Sequence, residues 1–147
     1  MAQDISGFGL VVNVIASSTF PAGFVVTQFA DDSDPFDIPS VQIADKAMGV
    51  NGDLVVWSRA VPIDVSISVI PGSPDDANLG ILAQANRPGR GKAPALDSIT
   101  LTGIYPDGTQ ITLQSGRLTN APFGKSVASA GRMKSKTYTF TFQNSIG

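Results

Sequence analysis

The side chains that most often do chemistry are missing from this chain: it has no histidine and no cysteine. Without histidine the commonest general base is gone. Without cysteine there is no thiolate nucleophile, no disulfide framework and no zinc site of the usual ligand set. A hydrolytic triad would need a Ser–Lys or carboxylate variant, and no motif supports either. Gly89-Arg90-Gly91-Lys92 has the outline of a phosphate loop. That pattern requires glycine five positions before Gly91 and Ser or Thr after Lys92, where this chain has Asn86 and Ala93. Asp31, Asp32, Asp34 and Asp37 offer oxygens to calcium, but the glycine and glutamate of an EF-hand loop are absent. The expectation is a protein that is not an enzyme and holds no metal or cofactor.

Its charge is informative in another way. Charged residues make up 15% of the 147 residues, against about 25% in an average domain. Surfaces so poor in charge are often covered in part by other chains. The charges are also segregated. Residues 1–86 hold ten Asp and two basic residues, a formal −8; residues 87–147 hold eight basic residues and two Asp, a formal +6. Every acidic residue is Asp, which favours turns and caps over helix interiors. The basic residues lie mostly in loops without interleaved aromatics, and the isoelectric point is about 4.8, so tight nucleic-acid binding is not expected. No signal peptide is expected from the opening residues, and no apolar stretch approaches the roughly 20 residues of a membrane span.

The elements that must position these groups read as strands. Residues 8–16, 22–30, 41–45, 54–59, 63–70, 98–105, 109–115 and 136–143 are expected strands, with a bend at Phe20-Pro21-Ala22-Gly23. Ile63, Val65, Ile67 and Val69 alternate with Asp64, Ser66 and Ser68, and Tyr138, Phe140 and Phe142 alternate with threonines. Asn51-Gly52 and Pro106-Asp107-Gly108 mark hairpins. Residues 73–86 are the one expected helix. Ser73 is its N-cap, Pro74 takes the first turn, and Asp75 and Asp76 face the positive dipole end. Leu79, Leu82 and Ala83 form its apolar stripe; Ile81 lies off that stripe and needs cover of its own. Residues 87–95 read as a flexible basic loop and 117–134 as irregular. The expected fold class is all-β, a β-sandwich or partly closed barrel, in a single domain over 1–147 with one short helix. The long segments 31–40 and 44–60 are uncommon in compact domains unless they serve a function and are expected to be inter-subunit arms.

The order of motifs through the middle of the chain carries a resemblance. Phe29-Ala30-Asp31-Asp32 is followed by Ala44-Asp45, then Asn51-Gly52-Asp53, then Arg59. The alternating Ile63–Val69 run leads into Pro71-Gly72-Ser73-Pro74-Asp75-Asp76-Ala77-Asn78 and on to Leu79 and Leu82. This order resembles the tail tube subunits of contractile-tailed bacteriophages, over roughly residues 24–87 by motif and over the remainder by strand order. Residues 87–95 and 117–134 match nothing in the family pattern. Such subunits are similar to the tubes of type VI secretion systems and pyocins. The resemblance implies hexameric rings whose inner sheets join into one barrel and stack helically. It also implies a surrounding tail sheath protein, baseplate and tail terminator proteins at the ends, and tape measure protein and DNA in the lumen. The expected location is the virion tail, assembled in the bacterial host cytoplasm.

On that reading Asp64, Ser66 and Ser68 line the lumen, where small polar and acidic side chains let a polyanion slide without sticking. Asp31, Asp32, Asp34, Trp57, Arg59, Arg87, Arg90 and Lys92 make inter-subunit contacts, an acidic loop of one ring meeting a basic loop of the next. Two alternatives remain open at this point: a secretion or pyocin-type tube without DNA cargo, and a monomeric β-sandwich that binds carbohydrate.

Overall fold

A computed structural model describes residues 9–29, 35–124, 127, 129, 131 and 133–146. Its strands are β1 (Val11–Ala16), β2 (Phe20–Val26), β3 (Phe36–Asp37), β4 (Ala44–Met48), β5 (Leu54–Ser58), β6 (Ile63–Val69), β7 (Ile99–Ile104), β8 (Gln110–Asn120), β9 (Lys136–Phe142) and β10 (Asn144–Ile146). One helix, α1 (Pro74–Asn86), lies between β6 and β7. Eight strands form one antiparallel sheet in the order β2-β1-β7-β8-β9-β6-β3, with β10 paired to β8. β4 and β5 form a separate two-stranded sheet. The all-β class with one short helix is as expected from the alternation of apolar and polar residues.

The long strand β8 joins the two halves of the large sheet. It pairs with β7 through Gln110–Gly116 and with β9 through Arg117–Asn120, and β10 continues the β9 line against Thr112–Gln114. The register to β7 slips at Ser115, whose φ of 56° is left-handed, the signature of a bulge that sharpens the local bend. Gly116 follows because nothing larger fits: a Cβ there would lie 2.2 Å from Cδ1 of Phe142. The expectation of irregular chain from residue 117 is therefore corrected. Alternation breaks at the bulge, but pairing continues to Asn120.

The inward faces of both halves meet in one core. Val12, Val14, Phe24 and Val26 come from one end, Val65, Ile67 and Val69 from the other, and Tyr138, Phe140 and Phe142 fill the middle. Leu79, Leu82 and Ala83 of α1 pack into the same core. Each fully buried large apolar side chain contributes about 2–3 kcal/mol. The sheet is not closed. One isolated bridge, between Phe29 just beyond β2 and Val69 at the end of β6, links its two halves.

The bend expected at Phe20–Gly23 is also corrected. Those residues are in β2, and the turn lies one step earlier, at Ser17–Thr19. The reason is a long-range acceptor: Asp97 takes the backbone N–H groups of Ser18 and Thr19. Both hairpins turn the same way. Gly52 N donates to Gly49 O and Gly108 N to Tyr105 O, with Gly52 and Gly108 at φ 87° and 93°. Each is a three-residue loop closed by a left-handed glycine.

Candidate assembly surfaces

Three surfaces present residues that the fold itself does not use up. The first is the outer face of β6 and β9. There Asp64 opposes Thr141, Ser66 opposes Thr139 and Ser68 opposes Thr137. Thr141 Oγ1 donates to Asp64 Oδ1 at 2.8 Å, the Ser68 and Thr137 hydroxyls lie 2.9 Å apart, and those of Ser66 and Thr139 3.5 Å. Thr119 of β8 adds a bond to the Thr139 carbonyl. The face is a ladder of small hydroxyls with one carboxylate, and Arg117 stands exposed at its β8 margin opposite Thr141. Asp64 and Ser66 are half-buried, whereas Ser68 is 2% exposed and presents almost nothing to solvent. The alternation of threonines with aromatics in β9 was the signal for the other half of this ladder, Thr137, Thr139 and Thr141.

The second surface is the β4–β5 hairpin. Asp45 pairs with Trp57, Lys46 with Val56, Ala47 with Val55 and Met48 with Leu54. Leu54, Val55, Val56 and Trp57 are all exposed, Trp57 at 47%, and Val50 at the tip is fully exposed. Successive strand residues point to opposite faces, so both faces of the hairpin are apolar and uncovered. An isolated two-stranded hairpin is marginally stable at best in water. Arg59 fastens the base internally: Nη1 reaches Gln42 Oε1 at 3.1 Å and Asp45 Oδ2 at 3.7 Å.

The third surface is the C-terminal end of α1. Arg87 is the C-cap residue, and its guanidinium sits 5.5 Å from the centroid of the Phe123 ring. Gly89 and Lys92 exchange two backbone hydrogen bonds around Arg90 and Gly91, so this part of the basic loop is a tight turn rather than the flexible segment expected. Lys92 Nζ donates to the Gln84 carbonyl, supplying the positive charge that the last helical turn lacks and that a helix C-terminus favours. Beside it, Ala77, Gly80, Ile81, Pro122 and Phe123 line an open groove of about 430 Å³. Ile81 and Phe123 are each 55% exposed.

Three buried carboxylates hold the frame behind these surfaces. Asp75 Oδ2 accepts from Thr27 N and Gln28 N, both at 2.9 Å, fixing the end of β2 to the start of α1. Asp76 accepts from Gly72 N at 3.0 Å and Tyr138 Oη at 2.9 Å, and Lys136 Nζ lies 3.4 Å away. Burial, reinforced by the Asp76 carboxylate, pushes the Tyr138 phenol far above its ordinary value. Asp97 accepts from Ser18 N, Thr19 N, the Thr19 hydroxyl and Asn86 Nδ2. Burial pushes its carboxyl upward, but these donors together outweigh burial and hold it below the usual carboxylate value. The dipole reading of Asp75 and Asp76 had no means of finding their partners. Asp97 had no local signal at all.

The sequence-predicted residues thus separate into the three surfaces. Asp64, Ser66 and Ser68 share the ladder; Trp57 and Arg59 belong to the hairpin; Arg87, Arg90 and Lys92 gather where α1 ends. Asp31, Asp32 and Asp34 lie outside the described residues.

Comparison with known proteins adds a family and a fold. The family model described as tail fiber protein gp32 matches residues 3–146. No curated protein matches the sequence. A chain in a cryo-EM structure of the anti-feeding prophage baseplate superposes with a TM-score of 0.59 at 11% identity, covering 100% of this chain and 98% of its own. A chain in the sheath/tube terminator of an extracellular contractile injection system, in its extended state, gives a TM-score of 0.54 at 14% identity, covering 99% and 97%.

Proposed function

The chain belongs to the tail fiber protein gp32 family, and from that premise we propose that it is a non-catalytic structural subunit of a contractile phage tail, a tube protein that stacks in hexameric rings. The observation that carries this reading is the β4–β5 hairpin, apolar on both faces and uncovered within its own chain. Such an arm is completed by a neighbouring subunit, where its strands and side chains gain the cover they lack. The whole-length likeness to chains of contractile injection particles supports the same reading, because hairpin and sheet belong to one shared fold.

The two ends of the open sheet supply edges for ring closure by sheet extension, which removes unpaired strand edges. The ladder of β6 and β9 is the lumen wall. Asp64, Ser66, Thr139 and Thr141 are small, uncharged or acidic, and bonded in pairs, so they offer phosphate little grip, and Arg117 at the β8 margin is the cation beside them. Rings stack through the hairpin and through the basic residues at the end of α1. A sheath surrounds the tube, baseplate and terminator proteins bound its ends, and tape measure protein and DNA pass through it without sequence-specific contact.

The family description favours a second reading, a component of the tail fibre. Immunogold labelling of purified particles separates the two: label along the tail axis after sheath removal supports the tube, and label confined to fibres replaces it. For the purified protein at high concentration, negative-stain microscopy is expected to find six-fold rings or hollow tubes. A protein that stays monomeric even with its baseplate partners overturns the tube reading.

A further inference from the structure

The hairpin and the α1 groove are complementary, and we propose that the groove is the receptor for the hairpin tip of a second copy of this chain. The inference rests on the tube reading and adds to it the identity of the surface that the arm meets. Neither surface is covered in the single chain: Val50 is fully exposed at the tip, and Ile81 and Phe123 are each 55% exposed at the groove. Ile81 sits on the side of α1 away from the core stripe, and with Phe123 across the groove it forms an exposed apolar patch rather than a lone exposed side chain. The floor beside it is Gly80, a helix-weakening residue. A Cβ at that position would find its nearest neighbour, Tyr138 Oη, at 4.0 Å. Glycine here keeps a recess open rather than avoiding a clash.

Charge points to the same pairing. The one charged residue in the Gly49–Asp53 turn is Asp53. The groove is flanked by Arg87, through its stacking on Phe123, and by Lys92, through its bond to Gln84. Lys136 at the same groove is already paired with Asp76, so among the described residues the cations nearest the groove that carry no carboxylate partner are Arg87 and Lys92 at the helix end. A larger cleft among the described residues is a poorer receptor, since Ala60, Val61 and Pro62, the continuation of the hairpin's own base, form one of its walls. Tip and groove are different patches, so the contact is head-to-tail; it propagates from copy to copy and closes into rings or continues as a tube.

The absence of cysteine makes the test clean. The double variant V50C/I81C is oxidised after assembly and run on a non-reducing gel. A ladder of covalent oligomers is expected, with no ladder above dimer from either single variant. Rings or tubes seen by microscopy without that ladder overturn the receptor assignment and leave the tube reading standing; failure of the full chain to assemble with its baseplate partners removes both. A second variant, Gly80→Leu, fills the recess from the exposed side of the helix. It is expected to keep its circular dichroism while its critical concentration for assembly rises at least tenfold. Unchanged assembly of a folded G80L protein overturns the proposal.

Discussion

The helix-capped body and the β4–β5 hairpin are built from similar residue types and end in opposite conditions. In the body, every buried side-chain polar atom among the described residues has a partner, and Asp75, Asp76 and Asp97 each draw on donors from distant segments. In the hairpin, Leu54, Val55, Val56 and Trp57 have no cover, and the hydrogen bonds and ion pair of Arg59 stay within the arm and its base. The body is a finished fold. The hairpin is left uncovered by its own chain. On the proposed function, the stability of this element is deferred until assembly.

The sharpest way to break this contrast is to disarm the body. Asp97→Ala leaves the Ser18 and Thr19 amides and the Thr19 hydroxyl without their acceptor and removes one of the two acceptors of Asn86 Nδ2. It is expected to cost about 3 kcal/mol or more in urea denaturation. A loss under about 1 kcal/mol would mean that the carboxylate is not the staple described here. Gly116→Ala drives a methyl into the Phe142 ring and is expected to cost about 2–3 kcal/mol. Tyr138→Phe removes the bond to Asp76 while keeping the ring, for about 1 kcal/mol.

The pH dependence tests the same network. Asp97 has a folded value below its unfolded one of about 3.8. Its contribution is complete above that value and drains away as pH falls through the lower folded value. Tyr138 is the reverse: its folded value is raised, so its contribution is complete below about 10.0 and is lost as pH climbs toward the folded value. Wild-type stability should fall at both extremes, with D97N flatter on the acid side and Y138F flatter on the alkaline side. Wild-type-like slopes in these variants would remove the assigned cause.

The smallest effect on monomer stability is expected in the hairpin. Val55→Thr with Val56→Thr should change monomer stability by about 0.5 kcal/mol or less, yet suppress rings and tubes under the microscope. Trp57, the one tryptophan in the chain, reports this region selectively. Its emission should be red-shifted and accessible to iodide in monomers, then blue-shifted and protected on assembly. Protection already present in monomers would show that the arm is covered without a neighbour.

The residues in each region explain how far the sequence could be read. The helix was legible to within a residue, because Ser73, Pro74 and the first-turn aspartates are local signals and the observed cap bond from Asp76 N to Ser73 Oγ spans three residues. The alternation in β6 and β9 was equally plain, since half-buried strands impose period 2. β10 was missed because Asn144-Ser145-Ile146 has no strand character of its own; it is aligned by continuing β9 past Gln143, whose N–H donates to Gln114 O. The end of β8 was hidden by the bulge at Ser115. For the surfaces, the arm was visible as a long hairpin segment, whereas the groove depends on Phe123, which no local pattern places beside Ile81.

By itself, then, the sequence determined the elements: which stretches alternate, where the helix begins, and which turns need a left-handed glycine. These are choices made within a few residues, where sterics and short hydrogen bonds act alone. Only the tertiary structure decided what those elements meet. Asp97 reaches Ser18 across 79 positions and Tyr138 reaches Asp76 across 62. Such partners are selected when the core packs and buried polar groups must find one another. The same packing that satisfied the body left the hairpin and the α1 groove uncovered.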